Sequence, residues 1–532
     1  MAEVHNDQMT VAAAFYEVLR AHGVTRIFGN PGSNELTMLK HLPYDIEYVL
    51  ALQEGVAIAM AHGYAQATGT VGVVNLHSSS GAGNAMGNLT NSAAGHAPLL
   101  IVAGQQSRRY VPYNAMLTNV GATKLYDPLV KWTGEPLRPE DVAVLTSRAL
   151  MFAGAAPTGP VFLSVPLDDW ARPADAMTQE HLVRRGTTAH PVLADRDVES
   201  LVEALASAAD PVLVVGPGVD SVGGWEAGVR LAESRGIPVW VAPSPSRAPF
   251  PTRHGLFEGV LPTGLGAVAD ALSAHDLVLT FGAAVFRYHQ FVDGSLLPER
   301  TRLIGVTSDP DEAARAAAGT LLVGDPVDAL ERLASRQSRS AGPVPARLVE
   351  AAPVSGAPFA AEAILDAVDR GKSESAIVVL EWTSADALWP RLTFTQPGSY
   401  HFPASGGLGW GMPAALGMAL GSPDRPVLAL IGDGAMQYTP AALWTAARYS
   451  IPVTFVVCQN EEYGALQRFA RVMEVPDADY LDISGLDIAS IARGYCVETR
   501  SIESLDELES FVRAGTSAEG PRLAVVPQRS AR

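Results

Sequence analysis

The sequence predicts an α/β protein of three doubly wound parallel-sheet domains, and three observations carry that reading. Short apolar runs alternate along the whole chain with longer segments rich in alanine and glycine. The runs are apolar on both faces, which marks strands buried in parallel sheets and covered by helices. The chain has 532 residues, too many for a single hydrophobic core.

The clearest strand candidates are residues 71–76, 99–103, 212–215, 277–281, 427–431 and 453–457, each flanked by Gly, Pro or Asp. The pattern breaks twice. Beyond Val165-Pro-Leu-Asp-Asp-Trp170, residues 172–195 turn polar and irregular. The stretch Ser335-Arg-Gln-Ser-Arg-Ser-Ala-Gly-Pro-Val-Pro345 reads as a linker. Domains at 1–185, 186–345 and 346–532 follow, each of ordinary domain size. The first and third show a common order. Residues 59–69 lead into an apolar strand, a loop at His77–Gly83 and a helix; residues 415–421 lead into a strand, a loop at Gly432–Gly434 and a helix. Two related sheets facing each other across a ligand are expected.

Bulk properties narrow the class further. A net charge of −18 opposes a nucleic-acid or anionic-membrane partner, because phosphates are repelled. Cys458 and Cys496, the only two cysteines, imply no disulfide framework, and Cys458 ends an apolar run where a buried, inert thiol is expected. The segment Met1–Thr10 has no basic stretch followed by an apolar one, and no run is long enough to span a bilayer. A cytoplasmic protein with no membrane partner is predicted.

The sharpest chemical signal is Ile431-Gly-Asp-Gly434, followed one strand later by Gln459-Asn460. Asp433 stands just past a buried strand, at the carboxyl edge where open α/β sheets bind ligands, and Asn460 follows the next strand at the same edge. A carboxylate, an amide oxygen and a nearby backbone carbonyl make a hard-oxygen site of the kind that holds magnesium when phosphates complete the shell. Gly432 and Gly434 let a diphosphate approach the N–H groups at the following helix start. A lone Gly-Asp-Gly more often marks a simple turn; the preceding strand and the spaced Asn make it specific.

With these residues the chain resembles the thiamine-diphosphate-dependent enzymes. Further segments are similar to the benzoylformate decarboxylases in particular: Phe28-Gly-Asn-Pro-Gly-Ser-Asn-Glu35, Leu50-Ala-Leu-Gln-Glu54, Asn75-Leu-His-Ser78, Phe286-Arg-Tyr-His-Gln290, Gly406-Gly-Leu-Gly409 and Tyr463-Gly-Ala-Leu466. The likeness reaches all three domains. It implies pyrimidine-binding, middle and diphosphate-binding domains, with thiamine diphosphate and Mg2+ as cofactors. It also implies a small 2-keto acid as substrate, and a homotetramer whose active sites are shared between two chains. The implied reaction is decarboxylation of an aromatic 2-keto acid, benzoylformate to benzaldehyde and carbon dioxide, in aromatic catabolism of the mandelate type.

The resemblance also implies roles. Glu54 matches the glutamate that hydrogen-bonds N1′ of the pyrimidine. Its place between an apolar strand and a small-residue stretch is one where burial favours the protonated, donating form. The bland alternative is a glutamate stabilising a helix start. Leu408 matches the apolar residue that props the cofactor into its bent shape, and Gly406 the carbonyl that accepts from the 4′-amino group. As plain sequence, the same glycines suit a tight turn. Asp433 and Asn460 match metal ligands, with Glu462 ligating through its backbone carbonyl; Gly432, Gly434 and Tyr463 complete the cofactor-binding set. Ser33, His77 and His289 match polar catalytic residues, imidazoles being suited to proton transfer near neutrality. Ala465, Leu466 and Phe469 match the substrate pocket.

The pattern departs from the family in places. Glu461-Glu462 replaces Gly and a small hydroxyl residue, Ala435-Met436 stands where a hydroxyl is common, and Gln467-Arg468 precedes Phe469 in place of Arg-Trp. Glu381-Trp-Thr-Ser384 carries the bulkier Trp382. Residues 212–220 resemble a nucleotide-binding turn but lack a full Gly-x-Gly-x-x-Gly, and are read as structural. Competing readings are a carboligase or lyase of the acetolactate synthase or benzaldehyde lyase type, and a non-catalytic cofactor-binding subunit. Glu54, Leu408 and Asp433 argue against the last, and His77 and His289 favour the decarboxylase.

Overall fold

Among the described residues eighteen strands form three six-stranded sheets in which every strand pairing is parallel. They come from a computed structural model that describes residues 9–186, 191–286, 289, 294–338, 344–353, 356–475 and 479–530. The first sheet holds β1 (Arg26–Asn30), β2 (Glu47–Leu50), β3 (Gly72–Leu76), β4 (Leu99–Gln105), β5 (Thr133–Gly134) and β6 (Val161–Pro166), in the order β2-β1-β3-β4-β6-β5. The second holds β7 (Pro211–Val215), β8 (Val239–Val241), β9 (Phe257–Val260), β10 (Leu277–Phe281), β11 (Arg302–Thr307) and β12 (Thr320–Val323), in the order β12-β11-β10-β7-β8-β9. The third holds β13 (Ile377–Glu381), β14 (Tyr400–His401), β15 (Val427–Gly432), β16 (Val453–Gln459), β17 (Glu498–Ser501) and β18 (Arg522–Pro527), in the order β14-β13-β15-β16-β18-β17.

Each apolar run singled out above is a strand, and β3, β4, β7 and β10 are buried along their whole length. Counted from their own first strands, the first and third sheets have one and the same order, so the faint likeness in sequence is a shared topology. In each, strand succession reverses beside the first strand, leaving a crevice at the carboxyl ends on both sides of that point.

Two helices join the first and third domains. Helix α1 (Glu54–Thr68) is buried from Glu54 to Ala65, and α2 (Gly411–Gly421) from Gly411 to Ala419. Such all-round burial requires residues that are apolar or small on every face. Their backbones touch: a Cβ on Gly63 would stand 2.1 Å from the Ala414 carbonyl oxygen, and one on Gly417 1.9 Å from that of Met60. Any larger residue at either position would drive the two domains apart.

Two expectations fail. The segment read as a loop at His77–Gly83 is the helix Ser78–Asn84, followed by the helix Met86–Ala94. Its serines and glycines are poor helix formers. Tertiary contacts override them: Ser78 is buried, and the Tyr126 hydroxyl donates to the Ala82 carbonyl at 2.6 Å. Likewise the segment at Gly432–Gly434 is helical from Asp433, with Gly432 as its N-cap. Cys458 is buried and Cys496 exposed. Among the described residues no helix is long and apolar enough to cross a membrane.

Candidate active site

The first domain assembles Glu54, His77 and Ser33 at the carboxyl edge of its sheet. Gln53 caps α1 by accepting from the Val56 N–H, which places Glu54 at the first helical position. Its carboxylate is 8 % exposed and accepts from the side-chain amides of Asn30 and Asn84, each at 3.2 Å. Asn30 closes β1, so strand end and helix start meet at one carboxylate.

His77 follows β3, and its ring lies flat against the Gly32 backbone, where a Cβ would stand 2.1 Å from Nδ1. Nδ1 lies 2.9 Å from the Glu35 carboxylate, which is 2 % exposed and also accepts from the Gly32 and Gly104 N–H groups at 2.8 Å each. A carboxylate at Nδ1 fixes the proton there and leaves Nε2 as the working nitrogen. Glu35 thus orients His77. Sequence reasoning quoted it at the end of the Phe28–Glu35 motif without giving it a part, because nothing local links it to His77. Ser33, next to Gly32, is exposed.

The third domain builds the other half. The Asp433 carboxylate accepts from the N–H groups of Gly434 (2.8 Å), Asn460 (3.0 Å) and Glu461 (2.7 Å), which pins the turn after β16 to the turn after β15. Burial pushes its carboxyl above the ordinary aspartate range, opposed by these N–H groups. The Asn460 amide lies 2.9 Å from the Glu462 carbonyl oxygen and 3.2 Å from Asp433 Oδ1. With its NH2 turned inward it donates to both; with its oxygen inward, three oxygens converge as the shell of a divalent cation demands. The donor set therefore fits Mg2+ with a diphosphate. Glu462 turns its buried side chain to the Ser530 hydroxyl, which donates to it at 3.0 Å, and it meets Asn460 through its backbone. Gly434 makes room for the Tyr463 ring, 2.8 Å from where a Cβ would stand.

Glu461 has φ +60°, a left-handed conformation that explains why glycine is favoured there. Glu461→Gly is expected to raise stability by about 0.5–1 kcal/mol, after subtracting glycine's greater unfolded-state entropy from the relieved strain. Thermal melting of the two proteins checks this; an unchanged or lower Tm would contradict it.

The segment Gly406–Gly409 lies where α1 and α2 meet. Gly406 and Gly409 have φ +77° and +89°, so this turn requires glycine. Leu408 packs half-buried on the core between the two domains, and among the described residues no donor meets the Gly406 carbonyl. Asn91 donates to the Gly407 carbonyl at 2.8 Å, and Asn88 to those of Gly409 (3.1 Å) and Gly55 (3.0 Å). An open carbonyl beside an apolar prop suits an aromatic ring bearing an amino group.

His289 reaches from the middle domain to this half. Its ring lies 5.0 Å from that of Phe469, edge to face. Phe469 sits with Ala465 and the 49 % exposed Leu466 on the helix Gly464–Val472. Arg287, Tyr288 and Gln290 lie outside the described residues. Trp382 is buried in the core, its indole N–H donating to Gln528 at 2.9 Å. Among the described residues no hydrogen bond joins Ser33, His77 or Glu54 to Asp433, Asn460 or Tyr463. Separately, His96 meets Glu312 (3.5 Å) and Asp309 (3.9 Å) between the first and middle domains, with Glu312 raising its affinity for a proton. This cluster involves none of the Asp433 residues and reads as an interdomain ion pair.

Comparison with known proteins agrees with this geometry. Residues 9–125 match the thiamine pyrophosphate enzyme N-terminal TPP binding domain, 198–333 the central domain, and 384–526 the C-terminal TPP binding domain. A benzoylformate decarboxylase of Pseudomonas aeruginosa is 47 % identical over 524 residues, covering 98 % of this chain and 99 % of that protein. The solved thiamine diphosphate-dependent 4-hydroxybenzoylformate decarboxylase of Rhodococcus jostii RHA1 superposes with a TM-score of 0.95 at 45 % identity, over 98 % of this chain and 99 % of that one. The benzoylformate decarboxylase of Polynucleobacter necessarius gives 0.93 at 36 % identity, over 98 % of each chain. The chain belongs to the thiamine-diphosphate-dependent decarboxylase family and is closely related to benzoylformate decarboxylase.

Proposed function

We propose that this protein is a carboxy-lyase that decarboxylates an aromatic 2-keto acid, benzoylformate to benzaldehyde and carbon dioxide. The observation that carries the proposal is the convergence of Asp433, the Asn460 amide and the Glu462 carbonyl, in a chain that also keeps Ser33, His77 and His289. Asp433, Asn460 and the Glu462 carbonyl hold Mg2+, with Gly432, Gly434 and Tyr463 around the diphosphate. Glu54, the Gly406 carbonyl and Leu408 take the pyrimidine. Bound thiamine diphosphate supplies the nucleophilic carbon and the electron sink for loss of carbon dioxide. The Ser33 hydroxyl donates to the substrate carboxylate. His77, oriented by Glu35, and His289 move protons at the carbonyl oxygen and at the carbon that loses carbon dioxide.

The domains are assigned to 1–185, 186–345 and 346–532. The working form is a cytoplasmic homotetramer with each site completed by a second chain. Two features support sharing. Among the described residues no hydrogen bond joins Glu54, His77 or Ser33 to Asp433, Asn460 or Tyr463, and large apolar side chains stand exposed after β4 (Met116, Val120) and β16 (Val472, Met473), as an uncovered interface does. The charge of −18 supports the absence of nucleic-acid and membrane partners.

Burying a phenyl ring rather than a methyl against Ala465, Leu466 and Phe469 contributes roughly 2 kcal/mol, about a 30-fold preference. The expected ranking of kcat/KM is therefore benzoylformate well above pyruvate, under saturating cofactor, with phenylpyruvate as the test of where the ring must sit. Pyruvate matching benzoylformate would refute the aromatic assignment and leave the decarboxylase assignment standing.

A further inference from the structure

Burying a carboxylate away from any cation is costly unless hydrogen bonds satisfy it. Glu381, at the end of β13, is 1 % exposed, and among the described residues no lysine, arginine or histidine pairs with it. Its two oxygens accept from three consecutive backbone N–H groups: Oε1 from Gly409 (2.6 Å) and Trp410 (3.1 Å), Oε2 from Gly411 (2.8 Å). We infer that Glu381 is a positioning residue for the cofactor, fixing from below the loop that presents the Gly406 carbonyl and the Leu408 side chain. The inference rests on the proposed roles of those two residues.

The loop needs such a grip. Three glycines and two positive φ values between residues 406 and 409 make it intrinsically mobile. Glu381 holds its N–H groups, while Asn91, Asn88 and the Thr439 hydroxyl hold the carbonyls of Gly407 and Gly409 from the other side. The Gly406 carbonyl is left to an incoming donor. The fit is close: a Cβ on Gly411 would stand 2.7 Å from Glu381 Cβ, so the glycine there is dictated by the carboxylate beneath it. The same N–H groups open α2, whose dipole favours an anion at this end. Burial pushes the Glu381 carboxyl up to about 7, against the pull of the three N–H groups. A serine or aspartate cap satisfies one or two donors of a helix; two oxygens on the longer glutamate reach three and lock the turn ahead of the helix as well.

The metal and diphosphate are held elsewhere, by Asp433 and Asn460, and that separation supplies the test. Glu381→Gln keeps the volume but has one acceptor oxygen and turns an NH2 toward backbone N–H groups. Affinity for thiamine diphosphate should fall about tenfold or more, the worth of one lost charge-assisted hydrogen bond. Affinity for magnesium pyrophosphate should stay within about twofold, since none of the residues proposed to hold it lies in this loop. With cofactor saturating, hydrogen–deuterium exchange at the thiazolium C2 should slow about tenfold or more, because a loosened prop misplaces the 4′-nitrogen. KM for the keto acid should hold while kcat falls. Wild-type C2 exchange in saturated Glu381→Gln protein would overturn the inference and leave Glu381 a plain helix cap. Equal loss of pyrophosphate and thiamine diphosphate binding would overturn it too, by showing a collapsed third domain. Glu381→Asp, which keeps the charge but not the reach, should show the same split in smaller measure and serves if the glutamine variant does not fold. Wild-type protein that binds magnesium pyrophosphate but not thiamine diphosphate would overturn the functional reading itself, a result recognisable without any variant.

Discussion

Asp433→Ala protein is expected to bind neither Mg2+ nor thiamine diphosphate at concentrations that saturate the wild type, with activity at least about a thousandfold lower. Two losses combine. The substitution removes a charged oxygen from the cation's shell, where two uncharged oxygens and the diphosphate cannot replace it. It also frees the N–H groups of Gly434, Asn460 and Glu461, all of which the Asp433 carboxylate now holds. The turn that carries Asn460 and the Glu462 carbonyl then loses its anchor to β15. Asp433→Asn separates the two effects, since the amide oxygen can still accept from part of the turn. It should fold with wild-type stability yet bind the metal weakly. Calorimetric titration with Mg2+ and thiamine diphosphate is the direct measurement. Full activity in Asp433→Ala protein after exhaustive chelation would remove this site from the mechanism.

Glu54→Gln protein is expected to bind the cofactor but to turn over about a hundred- to ten-thousandfold more slowly, the range for losing a positioned acid–base group. Glutamine is nearly isosteric and can still meet one of the two amides, Asn30 and Asn84, that flank the carboxylate. What it cannot do is exchange a proton with N1′ of the pyrimidine. Hydrogen–deuterium exchange at C2 isolates this step from substrate chemistry, and a wild-type rate in the variant would mean that another residue activates the ring. The two variants also report on assembly. If Glu54 and Asp433 of one site come from different chains, equal mixing of the two inactive proteins should restore about a quarter of the wild-type rate. Half the dimers would then be mixed, each with one intact site of two. A mixture that stays inactive after subunit exchange has been verified would contradict sharing.

The class of fold was legible because burial on both faces leaves an unambiguous mark: residues 277–281 and β10 coincide, and 453–457 lies inside β16. Edge strands such as β12 and β17 carry no such mark, because they are half exposed and their residues are mixed. The convergence of oxygen groups after β15 and β16 was equally legible. Asp433, Asn460 and Glu462 are brought together by two adjacent parallel strands, so their spacing in sequence is the width of one β-α-β unit.

Sequence by itself determined the three parallel sheets and the hard-oxygen cluster after β15 and β16, because each is a local pattern or a short crossover. Only the tertiary structure decided what holds the candidate site residues in place. Glu35 reaches His77 from the turn after β1, Asn88 and Asn91 hold a loop more than three hundred positions away in the chain, and Glu381 lies under the turn it supports. It also turned the serine- and glycine-rich segment after His77 into a helix against its own propensity. Hydrogen bonds between segments distant in sequence have no periodicity and no fixed spacing. Those of Asn88 and Asn91 exist only once α1 and α2 have packed backbone to backbone at Gly63 and Gly417 and brought the two domains together.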